Sequence, residues 1–184
     1  MENPGNKGLF YTGNDTKLQN IALSDDGMAV RIIDQSKLPN HLAYLDCKTP
    51  EACYDAIHEL KVRGAPAIGI FAGYAVLVLM KSEQALDYKH FEGSFQKWKE
   101  YLLSSRPTAV NLKWALDRME HVVLQNSDRN VQEMIALLEE EAVRIHQEDI
   151  AMCTAVSEYG LTLLKDGDGI LTHCNAGQIG RAHV

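Results

Sequence analysis

Val62-Arg63-Gly64-Ala65-Pro66-Ala67-Ile68-Gly69-Ile70, residues 62–70, sets an arginine, a glycine and a proline in the order that opens a helix onto an anion. Proline suits the first helical position, where its missing N–H costs nothing, so a helix is expected from Ala67 to about Met80. Its amino end then sits just after Arg63. Free backbone N–H groups and the positive end of the helix dipole gather there, and an added arginine is unfavourable unless an anion answers both. Phosphate is the usual answer. Gly64 lets the backbone approach that anion with no side chain in the way.

Ser105-Arg106-Pro107-Thr108-Ala109-Val110-Asn111-Leu112 repeats the arrangement at the mouth of a second expected helix, Thr108 to about Gln125. Two such mouths can share one phosphate. The plain alternative, for either stretch alone, is an arginine paired with a surface carboxylate and a proline that only punctuates. Together the two stretches favour phosphate.

A chain of 184 residues, 46% hydrophobic, can bury the core of one domain plus part of another. Its formal charge is −7, with no block of Lys and Arg, so neither nucleic acid nor an anionic membrane is the expected partner. An acidic surface around two buried-looking arginines points instead to a small anionic ligand. The polar, glycine-containing stretch from Met1 to Asn20 lacks the basic-then-apolar pattern of a signal peptide, and a cytoplasmic location is expected. The apolar run from Ala65 to Met80 is interrupted by Gly69, Gly73 and Tyr74 and is short for a membrane span, which makes it a buried core helix. Cys47, Cys53, Cys153 and Cys174 form no C-x-x-C pair and show no zinc spacing with the histidines. Free thiols are expected, and no metal site.

Working outward toward the N-terminus, Ile21 to Ala29 and Met28 to Asp34 predict two strands around a turn at Asp25-Asp26-Gly27, and Ala43 to Cys47 a third. A small antiparallel sheet accommodates them. Thr49-Pro50 is a cap followed by proline, and Ala52, Ala56, Ile57 and Leu60 share one face of a helix from Pro50 to about Val62. Toward the C-terminus, helices are expected at Ala67–Met80, Phe91–Leu103, Thr108–Gln125 and, as one long segment, from Asn130 to about Leu164. Asn130 with Glu133 three residues on is a capping-box pattern for the last. Met80, Met119, Met134 and Met152 lie within these helices as core filler.

Asp166-Gly167-Asp168-Gly169 marks a boundary, after which Ile170 to Cys174 reads as a short apolar strand. The division expected is an α+β N-terminal domain over 1–166, a small antiparallel sheet plus a helical bundle, then 167–184 as the start of a truncated Rossmann-like α/β domain. Cys174 falls where such a strand runs out into Asn175-Ala176-Gly177, the usual place for chemistry in open α/β sheets. It is a candidate nucleophile or acid/base group, although a buried structural thiol is the commoner fate of a cysteine so placed. Neighbouring residues on a strand point to opposite faces, so His173 is not its partner base.

The stretches 62–69, 105–112 and 170–177, with Leu38-Pro39 and Tyr44-Leu45, resemble in order and spacing the methylthioribose-1-phosphate isomerases of methionine salvage. The resemblance implies conversion of 5-methylthioribose 1-phosphate to 5-methylthioribulose 1-phosphate with no metal or organic cofactor. Carried over, Arg63, Gly64, Ala65 and Arg106 hold the phosphate of a small sugar-phosphate substrate, and Cys174 is one of two acid/base groups. Such isomerases continue into a further catalytic domain that carries the partner aspartate, and residues 178–184 depart from the family's continuation as a non-native tail would. The expectation is therefore an N-terminal portion that is inactive by itself. Ribose-1,5-bisphosphate isomerases and the regulatory subunits of the translation-initiation exchange factor resemble the same plan. A helical interaction domain, homodimeric through exposed surfaces, is the remaining alternative.

Overall fold

The computed structural model describes residues 20–85, 87–169 and 171. Strands β1 (Ile21–Leu23), β2 (Val30–Ile33) and β3 (Tyr44–Cys47) form an antiparallel sheet in that order. In β2, Val30 and Ile32 are buried, while Arg31 between them faces solvent and pairs with Asp46 across the strand at 2.7 Å. This alternation is what turns one face of the sheet toward the helices. The β1–β2 link is the expected turn, closed by Gly27 N–H on the Ser24 carbonyl at 2.8 Å. A 3₁₀ turn over Gln35–Lys37, unanticipated from the sequence, follows β2; the Asp34 carboxylate caps it by accepting from Ser36 N–H at 3.1 Å.

Among the described residues five helices follow: α1 (Pro50–His58), α2 (Ala65–Ser82), α3 (Tyr88–Ser105), α4 (Val110–Gln125) and α5 (Val131–Leu161). Thr49 caps α1, its hydroxyl accepting from Ala52 N–H at 3.2 Å. The helix stops four residues short of Val62 because Leu60 turns left-handed at φ 58° and Val62 N–H returns to the Ala56 carbonyl at 3.0 Å. α3 begins at Tyr88, three residues before the expected Phe91, with Asp87 as its cap accepting from His90 N–H at 2.8 Å. At the head of α5 the capping box is complete: Asn130 accepts from Glu133 N–H at 2.9 Å, and the Glu133 carboxylate from Asn130 N–H at 3.1 Å.

α2 is the hub. It touches α1, α3, α4, α5, β1 and β2, and from Ile68 to Met80 every residue is buried. A helix surrounded on all sides needs apolar residues all round it, which explains its continuous hydrophobic run. The helix is long and apolar enough to cross a membrane, yet 72% of that window lies inside this fold, as the core reading expected. Burying each of its larger side chains, Phe71, Leu77 and Leu79 among them, stabilises the fold by about 1.5–3 kcal/mol.

Met80, Met119 and Met134 are buried as anticipated, but Met152 is 57% exposed. α5 packs against α2 and α4 only through its first half, and beyond Ile145 none of its side chains is buried. The helical period therefore continues past the neighbours that would cover it. The expected strand over Ile170–Cys174 lies almost wholly outside the described residues. Leu171, the one described member, is exposed and in no strand.

Candidate functional site: two helix openings on one cavity

The turn after α1 delivers Arg63 and Gly64 to the start of α2. Gly64 is the N-cap, at φ 95° and ψ 134°, and has no side chain with which to cap. Because α2 begins at Ala65, Pro66 occupies its second position, one later than expected. The first helix N–H taken up is that of Ile68, by the Gly64 carbonyl at 2.9 Å.

α4 opens in the same state. Arg106 ends α3, and Ala109 N–H closes a turn on the Arg106 carbonyl at 3.0 Å, so Pro107 and Thr108 are spent in that turn. The helix thus starts at Val110, two residues after the expected Thr108. Its N-cap is Ala109, which offers no side-chain acceptor, and the first N–H taken up is that of Lys113, by the Ala109 carbonyl at 3.2 Å. The N–H groups of Val110, Asn111 and Leu112 are left to whatever fills the space in front.

Gly69 brings the two openings together. A Cβ built there would lie 3.0 Å from the Asn111 carbonyl oxygen and 3.5 Å from the Asn111 Cβ, so the backbones of α2 and α4 nearly touch. Arg63, Gly64, Ala65 and Arg106, all four expected phosphate-holding residues, line one cavity of about 450 Å³. Leu60, Ile68, Thr108, Ala109, Val110, Asn111 and Leu112 complete the wall. Ile68 and Thr108 to Leu112 lie within the two arginine-bearing stretches, but no residue type or spacing there marks them as site residues. Leu60 reaches the site through its left-handed turn, for which a non-glycine residue carries no sequence signal.

Among the described residues neither Arg63 nor Arg106 has an ion-pair partner, in contrast to Arg31, Arg118 and Arg144. Among the described residues no carboxylate lines the cavity. Arg63 is exposed and Arg106 half-buried, which corrects the expectation that both are buried: each guanidinium borders an open cavity rather than the core. The site is therefore a set of hydrogen-bond donors and two positive charges with no internal counter-charge. Such an arrangement is chemically suited to an oxyanion.

A larger depression, about 580 Å³, lies between the end of α2 and the start of α3. Glu83, Asp87, Lys89, His90 and Lys97 line it with mixed charge, and Asp87 already caps the α3 opening. Two carboxylates stand among its lysines, so the smaller cavity is the stronger candidate for an anion.

Cys47 and Cys53 are free and buried. Burial pushes the Cys47 thiol up to about 12 and raises that of Cys53 as well, so both stay protonated and unreactive near neutrality. Cys174 lies outside the described residues.

Residues 61–182 match the Initiation factor 2 subunit family. The chain is 47% identical over 166 residues to a methylthioribose-1-phosphate isomerase of Symbiobacterium thermophilum, covering 90% of this chain and 46% of that one. It is 48% identical over 159 residues to a 5-deoxyribose 1-phosphate isomerase of Clostridium botulinum, with 86% and 46% covered. Among solved structures it is similar to the 5-methylthioribose 1-phosphate isomerase of Pyrococcus horikoshii, with a TM-score of 0.83 and 34% identity over 90% of this chain and 46% of that one. It is also similar to subunit delta of the translation initiation factor eIF-2B from A. fulgidus, with a TM-score of 0.79 and 35% identity over 88% and 46%. The chain thus spans a little under half the length of these relatives, 46% in each case.

Proposed function

This chain belongs to the Initiation factor 2 subunit family, and from that premise we propose that it is the phosphate-holding part of an aldose–ketose isomerase converting 5-methylthioribose 1-phosphate to 5-methylthioribulose 1-phosphate in methionine salvage. One observation carries the reading: two arginines without ion-pair partners among the described residues, at two helix openings without side-chain caps, share one cavity. Arg63 and Arg106 bind the phosphate, with the backbone at Gly64 and Ala65 donating to it.

The reaction is an isomerisation and needs no external oxidant. A hydrogen moves from C2 to C1 as the ring C1–O bond breaks; the 2-hydroxyl loses its proton as C2 becomes the ketone, the freed ring oxygen gains one, and the phosphate ester stays on C1. Anchoring that ester holds the reacting carbons still while an acid and a base act on them in a site closed to water. Cys174 is proposed as one of these two groups, and residues 167–184 as the opening of the second, Rossmann-like domain.

The test is turnover by the whole protein of 5-methylthioribose 1-phosphate, 5-deoxyribose 1-phosphate and ribose 1,5-bisphosphate, with Arg63→Ala and Arg106→Ala alongside. Each arginine variant should raise KM at least tenfold, one charge-assisted hydrogen bond being worth about 1.5–3 kcal/mol. Absence of turnover on all three sugars would refute the reading. It would favour a regulatory subunit instead, which the similarity to the eIF-2B delta subunit supports.

A further inference from the structure

The groups that hold phosphate in this cavity can donate to the oxygens of a sugar but cannot accept from its hydroxyls. Guanidinium groups and backbone N–H groups only donate, whereas each sugar hydroxyl carries an O–H that needs an acceptor. Among the described side chains lining the cavity only Thr108 and Asn111 have one. Thr108 is exposed and sits in the turn ahead of α4. Asn111 is half-buried in the first turn of α4, at the place where that helix meets Gly69 of α2, and so lies between the two openings.

Asparagine is a poor helix former and usually sits in a first turn in order to cap. Here it does not: the cap is Ala109, and among the described residues the Asn111 amide makes no hydrogen bond. It is an unpartnered donor and acceptor on a wall where, among the described side chains, Thr108 alone offers another acceptor. Its neutrality matters as well, since a carboxylate in its place would repel the phosphate held beside it.

We propose that Asn111 is a specificity-determining residue of this cavity, accepting a hydrogen bond from a hydroxyl of the sugar whose phosphate Arg63 and Arg106 hold. The inference rests on the anion-site reading above and extends it from phosphate to phosphorylated sugars as the ligand class. The amide belongs to the ribose side of the ligand, so it serves a 5-methylthio and a 5-deoxy sugar alike.

The test titrates the 184-residue chain with inorganic phosphate and, separately, with 5-methylthioribose 1-phosphate, followed by amide NMR shifts. The wild type should bind the sugar phosphate roughly tenfold more tightly than inorganic phosphate, the fold-change that one net hydrogen bond supplies. Asn111→Ala should bring that ratio to about one while inorganic phosphate affinity changes by less than about twofold. Asn111→Asp, which a helix N-terminus tolerates well and which therefore folds, should weaken both ligands. Retention of the sugar preference in Asn111→Ala, or unchanged phosphate binding in Asn111→Asp, overturns the proposal. A wild type that binds phosphate with no sugar preference also overturns it and leaves the anion site standing. A wild type that fails to bind phosphate at all removes the anion site itself.

Discussion

Substituting Gly69 by alanine separates the contribution of local helix preference from that of the contact that joins the two openings. In an uncrowded helix interior this change stabilises by about 1 kcal/mol, because glycine has more backbone freedom to lose. Here the added Cβ lands 3.0 Å from the Asn111 carbonyl oxygen, so something must give by a few tenths of an ångström. That oxygen belongs to the first turn of α4, a helix packed on α2, α3 and α5, and it can yield only if the opening of α4 moves with it. Overpacking of this kind costs about 1–3 kcal/mol, which exceeds the gain, leaving a net loss of about 1 kcal/mol. For a chain of this size the melting temperature should fall by about 2–4 °C. The same movement carries Arg106 away from Arg63, so phosphate affinity should drop by about three- to tenfold through longer charge-assisted hydrogen bonds. Calorimetric melts with and without phosphate read both effects. A Gly69→Ala protein that is more stable by about 1 kcal/mol, with the same phosphate-induced rise in melting temperature, would refute the claim that α2 and α4 touch there.

Gly64→Ala meets open space, its nearest neighbour being the Ala67 side chain at 3.8 Å, so its cost comes from holding φ at 95° alone. A loss of about 1–3 kcal/mol in urea unfolding is expected. Lys99 is buried and pairs with Asp117 at 2.6 Å and Glu120 at 2.7 Å. Both carboxylates stay partly wet, so Lys99→Ala should destabilise by about 2 kcal/mol, less than for a fully buried pair, as measured by chemical denaturation. Burial holds His146 below its ordinary value of 6.5 despite the opposing pull of Asp149, and its Nδ1 meets the Tyr74 hydroxyl at 3.0 Å. The folded chain binds that proton less readily than the unfolded one. This part of the stability is therefore fully present above pH 6.5 and declines as pH falls below it. His146→Gln should flatten that slope in a pH series of melts; an unchanged slope would assign it to other groups.

Local pattern made much of this architecture readable. The alternation in Val30–Ile33, the cap and proline at Thr49-Pro50, and the box formed by Asn130 and Glu133 each act within a few residues, and each formed where expected. The misreadings cluster where distant contacts or unusual backbone decide. Leu60 adopts a left-handed turn that no side-chain preference announces, and so ends α1 early. Met152 and Ile150 keep the helical period of α5 after its neighbours have ended, and so stand in solvent.

The candidate site divides along the same line. Two arginines, a proline within three residues after each and a glycine at one mouth are sequence facts, and the chemistry of unanswered helix N-termini follows from them alone. That the two mouths face one cavity depends on a contact between residues 69 and 111, far apart in the chain, where a missing Cβ lets two backbones meet. Hydrogen bonding within a turn is encoded by neighbours in sequence, so the openings could be read from the chain by itself. Their convergence arises from close packing between helices, which only the folded arrangement determines.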